Sequence, residues 1–396
     1  MGRRALVPAL GGALAGALLL AGCSAARPGV EVDADALVTD QTVAALFISP
    51  QAPYLDDDSA RARSFVAAID RDGSLRAYRS APMQGGMPVW SDGQVLVADR
   101  EFDHRFFGGG SAHVEHRKPD AQVAAYPLRG RGAFGAVYND GQADDAYRVV
   151  VSSTQRGRFS DTAVDGSYLG IGVCASGLIG VAVDDEADGE ADSEPRMAET
   201  ISRIDPLTHR LSVLAHARVA PEALPLYTQG PAPCRDGVVS AIVDSERPDE
   251  KTARLRRIDA ASGRSTVRTL TDERGVARRF DFGDYGIDPV FSALSLSRGA
   301  LDWVSSDGVV WRTELATAKT RRLFDTGADW VAEQSAVVDF SRDCVAVLDI
   351  ADDDAGRLRI FDRSDGALVH SAAVPGLRDV LGERARIEGF AAGPAL

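Results

Sequence analysis

The 396-residue chain is poor in several of the residues from which sites are usually built: it has one asparagine, Asn139, four cysteines, six histidines and 7% aromatic residues. No C-x-x-C pair occurs and no cysteine is grouped with histidine, so a structural zinc ion has no ligand set. No Gly-x-Ser-x-Gly elbow is present, and no histidine stands at a usable spacing from a serine and a carboxylate, so the sequence names no catalytic nucleophile. Basic residues are also short, with 44 Lys and Arg against 58 Asp and Glu and a net charge of −14. Such a chain is a poor partner for nucleic acid phosphates. Beyond residue 22 no apolar run is long enough to cross a bilayer.

One apolar run does stand out, at the start. Arg3 and Arg4 form a basic n-region, residues 5–20 an apolar h-region too short for a comfortable span, and the run ends in Leu20-Ala21-Gly22-Cys23. That ending resembles the lipobox of bacterial lipoproteins, whose cysteine is lipid-modified and becomes the first mature residue. The resemblance implies a signal peptide over 1–22, lipidation of Cys23, and anchorage to the cell membrane on its extracytoplasmic face. Loss of Arg3 and Arg4 with the signal leaves a balance of −16. Residues 23–41, with Pro28 and Gly29 and no sustained apolar pattern, are expected to form a flexible tether, and residues 42–396 a single domain.

Within that domain one grammar recurs: apolar strand, acidic stop, polar turn. Aligned on the stop, the fourth residue before it is Val66, Val123, Ile201, Leu255, Val310 or Leu358, always aliphatic. The residue just before it is Ile69, Tyr126, Ile204, Ile258, Thr313 or Phe361, and the stop is Asp70, Pro127, Asp205, Asp259, Glu314 or Asp362. A carboxylate there can accept N–H bonds from the following turn, as in Asp259-Ala260-Ala261-Ser262-Gly263. Intervals of 57, 78, 54, 55 and 48 residues, each with several short apolar runs, predict an all-β propeller of four-stranded blades. The stops count six blades, whereas chain length divided by the usual spacing sits closer to seven; the ambiguity lies in residues 139–166. The first repeat lacks an inner strand, and residues 385–392 form one more strand with nothing after it to pair. That strand is expected to complete the first blade and close the ring.

Ile258-Asp259-Ala260-Ala261-Ser262-Gly263 and Ile204-Asp205-Pro206-Leu207-Thr208 resemble the turns of YVTN-type and quinoprotein-like propeller repeats. The resemblance implies architecture rather than a site. Trp90, Trp303, Trp311 and Trp330 do not share one repeat position, which departs from the quinoprotein pattern, and a single asparagine departs from the calcium site of lactonase-like propellers. No cofactor is expected, and two metal readings are kept only beside bland ones. His104, His113 and His116 could mark a ligand loop or a solvated hairpin. Asp184, Glu186, Asp188 and Gly189 mimic the start of a calcium loop, yet its twelfth position is Pro195.

Cys174 and Cys234 occupy the same place in consecutive repeats and could lie within disulfide reach or just beyond it, while Cys344 reads as buried and inert. Arg254, Arg256, Arg357 and Arg359 read as the wet side of strands. At the channel mouth, Asp281, Phe282, Asp284 and Tyr285, with Tyr227 and Trp330 from neighbouring connections, are expected to form an aromatic, acidic rim for a cationic or sugar-like ligand. The hairpins bearing Asp56 to Asp58, residues 184–194, Asp244 to Glu250 and Asp352 to Asp354 should all point one way. The functional expectation is a non-enzymatic scaffold at the cell envelope, binding a protein, peptide or envelope ligand. The alternative is a lactonase-like or other hydrolase acting at the channel mouth.

Overall fold

The structure, a computed structural model, describes residues 30–51, 63–130, 132–143, 146–185, 197–218, 230–244, 252–280, 289–328, 336–350 and 355–393. Their strands form seven antiparallel blades of four strands each. From the axis outward, blade 1 comprises Ala385–Ala392, Thr42–Pro50, Ser64–Asp70 and Leu75–Ser80. Blade 2 comprises Val89–Ser91, Gln94–Ala98, Phe102–Phe107 and Gly110–Glu115, and blade 3 Ala121–Pro127, Phe134–Ala143, Ala146–Gln155 and Arg158–Asp165. Blade 4 is Tyr168–Cys174, Gly177–Asp185, Met197–Ile204 and Leu211–Arg218; blade 5 is Ala232–Arg235, Val238–Asp244, Ala253–Asp259 and Ser265–Thr269. Blade 6 is Leu296–Ser297, Ala300–Val304, Val309–Glu314 and Thr320–Asp325; blade 7 is Ala336–Phe340, Cys344–Asp349, Ala355–Asp362 and Leu368–Pro375.

The count of seven corrects the repeat alignment at one point. Val123, Tyr126 and Pro127 belong to the inner strand of blade 3, and the third strands of blades 2 and 3 are Phe102–Phe107 and Ala146–Gln155. These two blades escape the pattern because they turn differently. In blade 3 the turn is Arg156-Gly157, both with positive φ (50° and 72°), a two-residue hairpin that needs no acidic stop. The other five blades use the acidic stop as read. Asp205 accepts the N–H groups of Leu207 and Thr208 (2.9 and 2.8 Å), Asp259 those of Ala261 and Ser262 (3.1 and 2.8 Å), and Asp362 that of Ser364 (2.7 Å). Hydrogen bonds to turn groups hold all three carboxyls below the usual carboxylate range.

Each of these turns ends in a left-handed residue, Gly73, His209, Gly263, Ala318 or Gly366, with φ between 56° and 87°. In blade 1 it rests on the outer strand of the preceding blade so closely that a Cβ on Gly73 would lie 1.9 Å from the Ala373 carbonyl oxygen. The repeat's turn chemistry is therefore also its packing against the next blade.

Strands two and three are covered on both sides by neighbouring blades, which is why Thr42–Pro50 is buried throughout and Gln94–Ala98 reads as an unbroken apolar run apart from Gln94. Core clusters lie between blades; one joins Leu46 and Ile48 of blade 1 to Leu348 and Leu358 of blade 7. The closing strand pairs Ala44 with Ala392 through to Pro50 with Ala385. Its Trp90 neighbour in blade 2 donates Nε1–H to the Ala391 carbonyl (3.1 Å), and Glu388 accepts the Gly85 N–H (2.7 Å).

Residues 30–41, expected to be the end of a tether, instead dock on the ring. Val32 N–H bonds the Ala77 carbonyl (2.9 Å) beside the outer strand of blade 1, and Leu37 and Val38 are buried between blades 1 and 2. The inner strands of blades 4 and 5 run parallel, pairing Gly172 with Ala232 and Val173 with Pro233. This convergence toward the axis brings the Cα atoms of Cys174 and Cys234 to 5.0 Å, and the two are disulfide-bonded. Cys344 carries a free thiol, which burial pushes up.

Candidate functional site

Cys23 and the expected rim residues Asp281, Phe282, Asp284, Tyr285, Tyr227 and Trp330 lie outside the described residues, as do Asp56 to Asp58, residues 186–196, Glu246, Asp249, Glu250 and Asp352 to Asp354. What is described is the frame around them. Phe280, just before Asp281, is buried against Trp303 and Trp311, with ring centroids 5.3 Å away in each case.

The three clustered histidines part company. His104 is buried and bonded through Nε2 to Asp99 (2.7 Å), His113 meets the edge of Phe102, and His116 stacks on Phe159 and reaches Asp161 (3.2 Å). Beside them Lys118 is buried, its ammonium on the carbonyls of Asp99 and His116 (3.1 and 2.9 Å) and on Asp103 (3.2 Å). Burial lowers its pKa, and the Asp103 carboxylate beside it works the other way. The group joins blades 2 and 3. Among the described residues no group of three or more His, Cys, Asp or Glu side chains could hold a metal ion.

A second pairing of polar groups has an enzyme-like look. Ser153 Oγ lies 3.1 Å from His209 Nε2 and 3.0 Å from Ser160 Oγ, at the wall of a cavity of about 750 Å³. However, the other ring nitrogen faces Thr162 Oγ1 at 3.4 Å rather than a carboxylate. His209 is also the left-handed turn residue of blade 4, pressed on blade 3, and burial lowers its pKa. It is a pin between blades.

Of the arginines read as solvated strand sides, Arg357 is exposed as expected, but Arg256 and Arg359 prove to be pins as well. Arg256 of blade 5 is buried in a two-pronged ion pair with Glu199 of blade 4, one prong 2.7 Å long. Arg359 pairs with Asp349 within blade 7. Asp302 of blade 6, with no exposed surface, takes Arg312 Nε and Nη2 (2.6 and 2.8 Å) and Arg363 Nε of blade 7 (2.6 Å).

On the inner strands, Asp339 of blade 7 accepts the Ala392 N–H of the closing strand (2.9 Å). Protein crowds its carboxyl, and this burial pushes its pKa up to about 6. Below pH ~4 native and unfolded chains both hold this proton; between about 4 and 6 only the native chain does. Ionisation of Asp339 therefore costs stability as pH rises through that window, by roughly 3 kcal/mol at neutrality. Asp339→Asn, which keeps an acceptor for Ala392, should recover most of it at pH 7 and little at pH 4, as read by urea denaturation at the two values. Equal effects at both would show that titration of Asp339 is not involved.

The strand order also sorts charge between the two faces of the ring. By sequence, the segments that join second to third strands contain 19 Asp and Glu against 6 Lys and Arg, most of them outside the described residues. Turns from first to second and third to fourth strands, on the opposite face, contain 6 acidic and 10 basic residues.

Seven four-stranded blades, with the first completed by the last strand of the chain, make this protein a β-propeller. More particularly, the chain belongs to the family of the YycP β-propeller domain, whose family model matches residues 37–390. No curated protein matches it in sequence. Solved structures similar to it include the computationally designed Ika8 protein (12% identity over 89% of this chain and 91% of that one, TM-score 0.40). Others are cobalt-substituted apocarotenoid oxygenase of Synechocystis (6%, 92% and 94%, TM-score 0.49) and apo AztD of Citrobacter koseri (11%, 90% and 100%, TM-score 0.46).

Proposed function

We propose that this propeller is a lipid-anchored scaffold on the extracytoplasmic side of the cell membrane that presents its acidic face to a cationic protein, peptide or envelope ligand. The observation that carries the reading is the charge division between the faces, 19 acidic against 6 basic residues in the second-to-third strand connections. A field of one sign over one face raises the encounter rate of opposite charge and is screened by salt. The lipobox-like Leu20-Ala21-Gly22-Cys23 supports anchorage, and the polar groups described between blades serve packing, which leaves binding ahead of the lactonase-like alternative.

The test has two parts. Palmitate labelling of cells should mark the protein and fail with Cys23→Ala. A lysine-rich peptide should associate with the full chain at a rate that falls about tenfold or more between 10 and 150 mM salt. Replacing Asp352, Asp353 and Asp354 by Asn should lower that rate at low salt and leave it unchanged at high salt. A rate indifferent to salt would reject the acidic face as the docking side.

A further inference from the structure

Superposing blade 5 on blade 6 through their strand registers exposes a missing charge. In blade 6, Asp302 is the third residue of the second strand and faces Arg312, two residues before the acidic stop Glu314. In blade 5 the same two places are Ser240 and Arg257, paired in register two residues before the stop Asp259. The blade 7 residue that completes the buried triad, Arg363, has Leu315 as its counterpart in blade 6. Thus one inter-blade wedge holds an Arg–Asp–Arg triad, while the preceding wedge holds the arginine without its acid.

A cavity of about 300 Å³ lies there, lined by Ser240, Arg257 and Leu315 with Arg235 and Arg298 from the turns of blades 5 and 6. Among the described residues the one hydrogen bond of Arg257 is from Nη1 to the Leu315 carbonyl at 3.4 Å, and its Nε is buried with no partner. In blade 6 the equivalent Nε reaches Asp302 at 2.6 Å. The one carboxylate on the cavity wall, Asp236, is almost fully exposed and stands 3.9 Å from Arg235 Nε. Three arginines and the Ser240 hydroxyl against one exposed carboxylate, on the less acidic face of a chain of net charge −14, give the cavity an excess of positive charge and of donors.

We infer that the cavity between blades 5 and 6 binds a phosphate group, whose oxygens take the place that Asp302 occupies one blade further on. A phosphate suits it better than a carboxylate because three arginines face one exposed acid, and because a tetrahedral dianion offers acceptors to Arg235, Arg257, Arg298 and Ser240 together. Such a group could arrive as a free phosphate or monoester, or as the phosphodiester of a lipid headgroup, since the chemistry recognised is the same.

Calorimetry on the full chain in detergent with inorganic phosphate and, separately, with glycerophosphoglycerol distinguishes the sources. Saturable millimolar or tighter binding of phosphate alone assigns a free phosphate or monoester; tighter binding of the diester assigns a headgroup. Arg257→Gln should weaken either at least tenfold, whereas Arg203→Gln, at the same register position in blade 4 but facing Ile179, should not. Ser240→Asp should abolish binding and raise the melting temperature by supplying the missing carboxylate, so that loss of binding there is not loss of fold. Saturation by neither probe below about 10 mM, or phosphate binding that survives Ser240→Asp, would overturn the site.

Discussion

Deleting residues 385–396 should turn a cooperatively melting protein into one that aggregates or melts over a broad range. The closing strand is the inner strand of blade 1, and it carries the contacts by which blade 1 meets both neighbours near the axis: Asp339 of blade 7 on the Ala392 N–H, and Trp90 of blade 2 on the Ala391 carbonyl. Without it Thr42–Pro50, buried throughout and apolar apart from Thr42 and Ser49, presents an unpaired edge, a template for pairing with another chain. A point substitution tests the same closure. A Cβ on Gly389 would lie 2.3 Å from the Gly86 carbonyl oxygen, so Gly389→Val must push the strand away from the blade 1 to blade 2 connection. Circular dichroism and light scattering through a thermal ramp read both variants. A truncated chain that stays monomeric and melts as sharply as the full one would refute closure through blade 1.

Asp302→Ala should cost about 3–5 kcal/mol, the scale found when one partner of a buried ion group is removed and the remainder is left without its counter-charge. Arg312 and Arg363 would both lose their carboxylate, and Arg363 is nearly as buried as Asp302 itself. Arg363 would keep its bonds to the carbonyls of Leu294 (2.8 Å) and Ser295, which satisfy geometry but do not cancel a charge. The loss is read as a shift in the urea midpoint at unchanged slope. A change under about 1 kcal/mol would mean that water reaches the wedge and that the triad contributes little. The comparison with Ser240→Asp is informative: the same carboxylate should stabilise one wedge when added and unlock the next when removed.

Much of this molecule can be read in one dimension because its elements are local. The alternation and burial of Val, Ile, Leu and Ala define strands, and Asp205, Asp259 and Asp362 define turns by bonding to residues two or three positions on. Even the phosphate cavity has a trace in the sequence, since Arg203, Arg257 and Arg312 all stand two residues before an acidic stop. By itself, then, the sequence determined an all-β ring of repeated blades, the turn chemistry of five of them, and the strand left over to close it.

The tertiary structure decided the rest. Blades 2 and 3 became separate only in three dimensions, because Phe102–Phe107 mixes Asp103, His104 and Arg105 into a strand whose polar groups find their partners in the packed fold: His104 bonds Asp99 of its own blade, and Asp103 pairs with Lys118 and accepts the Thr154 hydroxyl of blade 3. Which arginines are solvated and which are pins was equally hidden. Arg256 meets Glu199 across 57 residues and Arg363 meets Asp302 across 61, and such pairings depend on how one blade lies against the next. A side chain's charge is written in the sequence, but its dielectric surroundings and its partner, or the absence of one as at Arg257, exist only once the blades have packed.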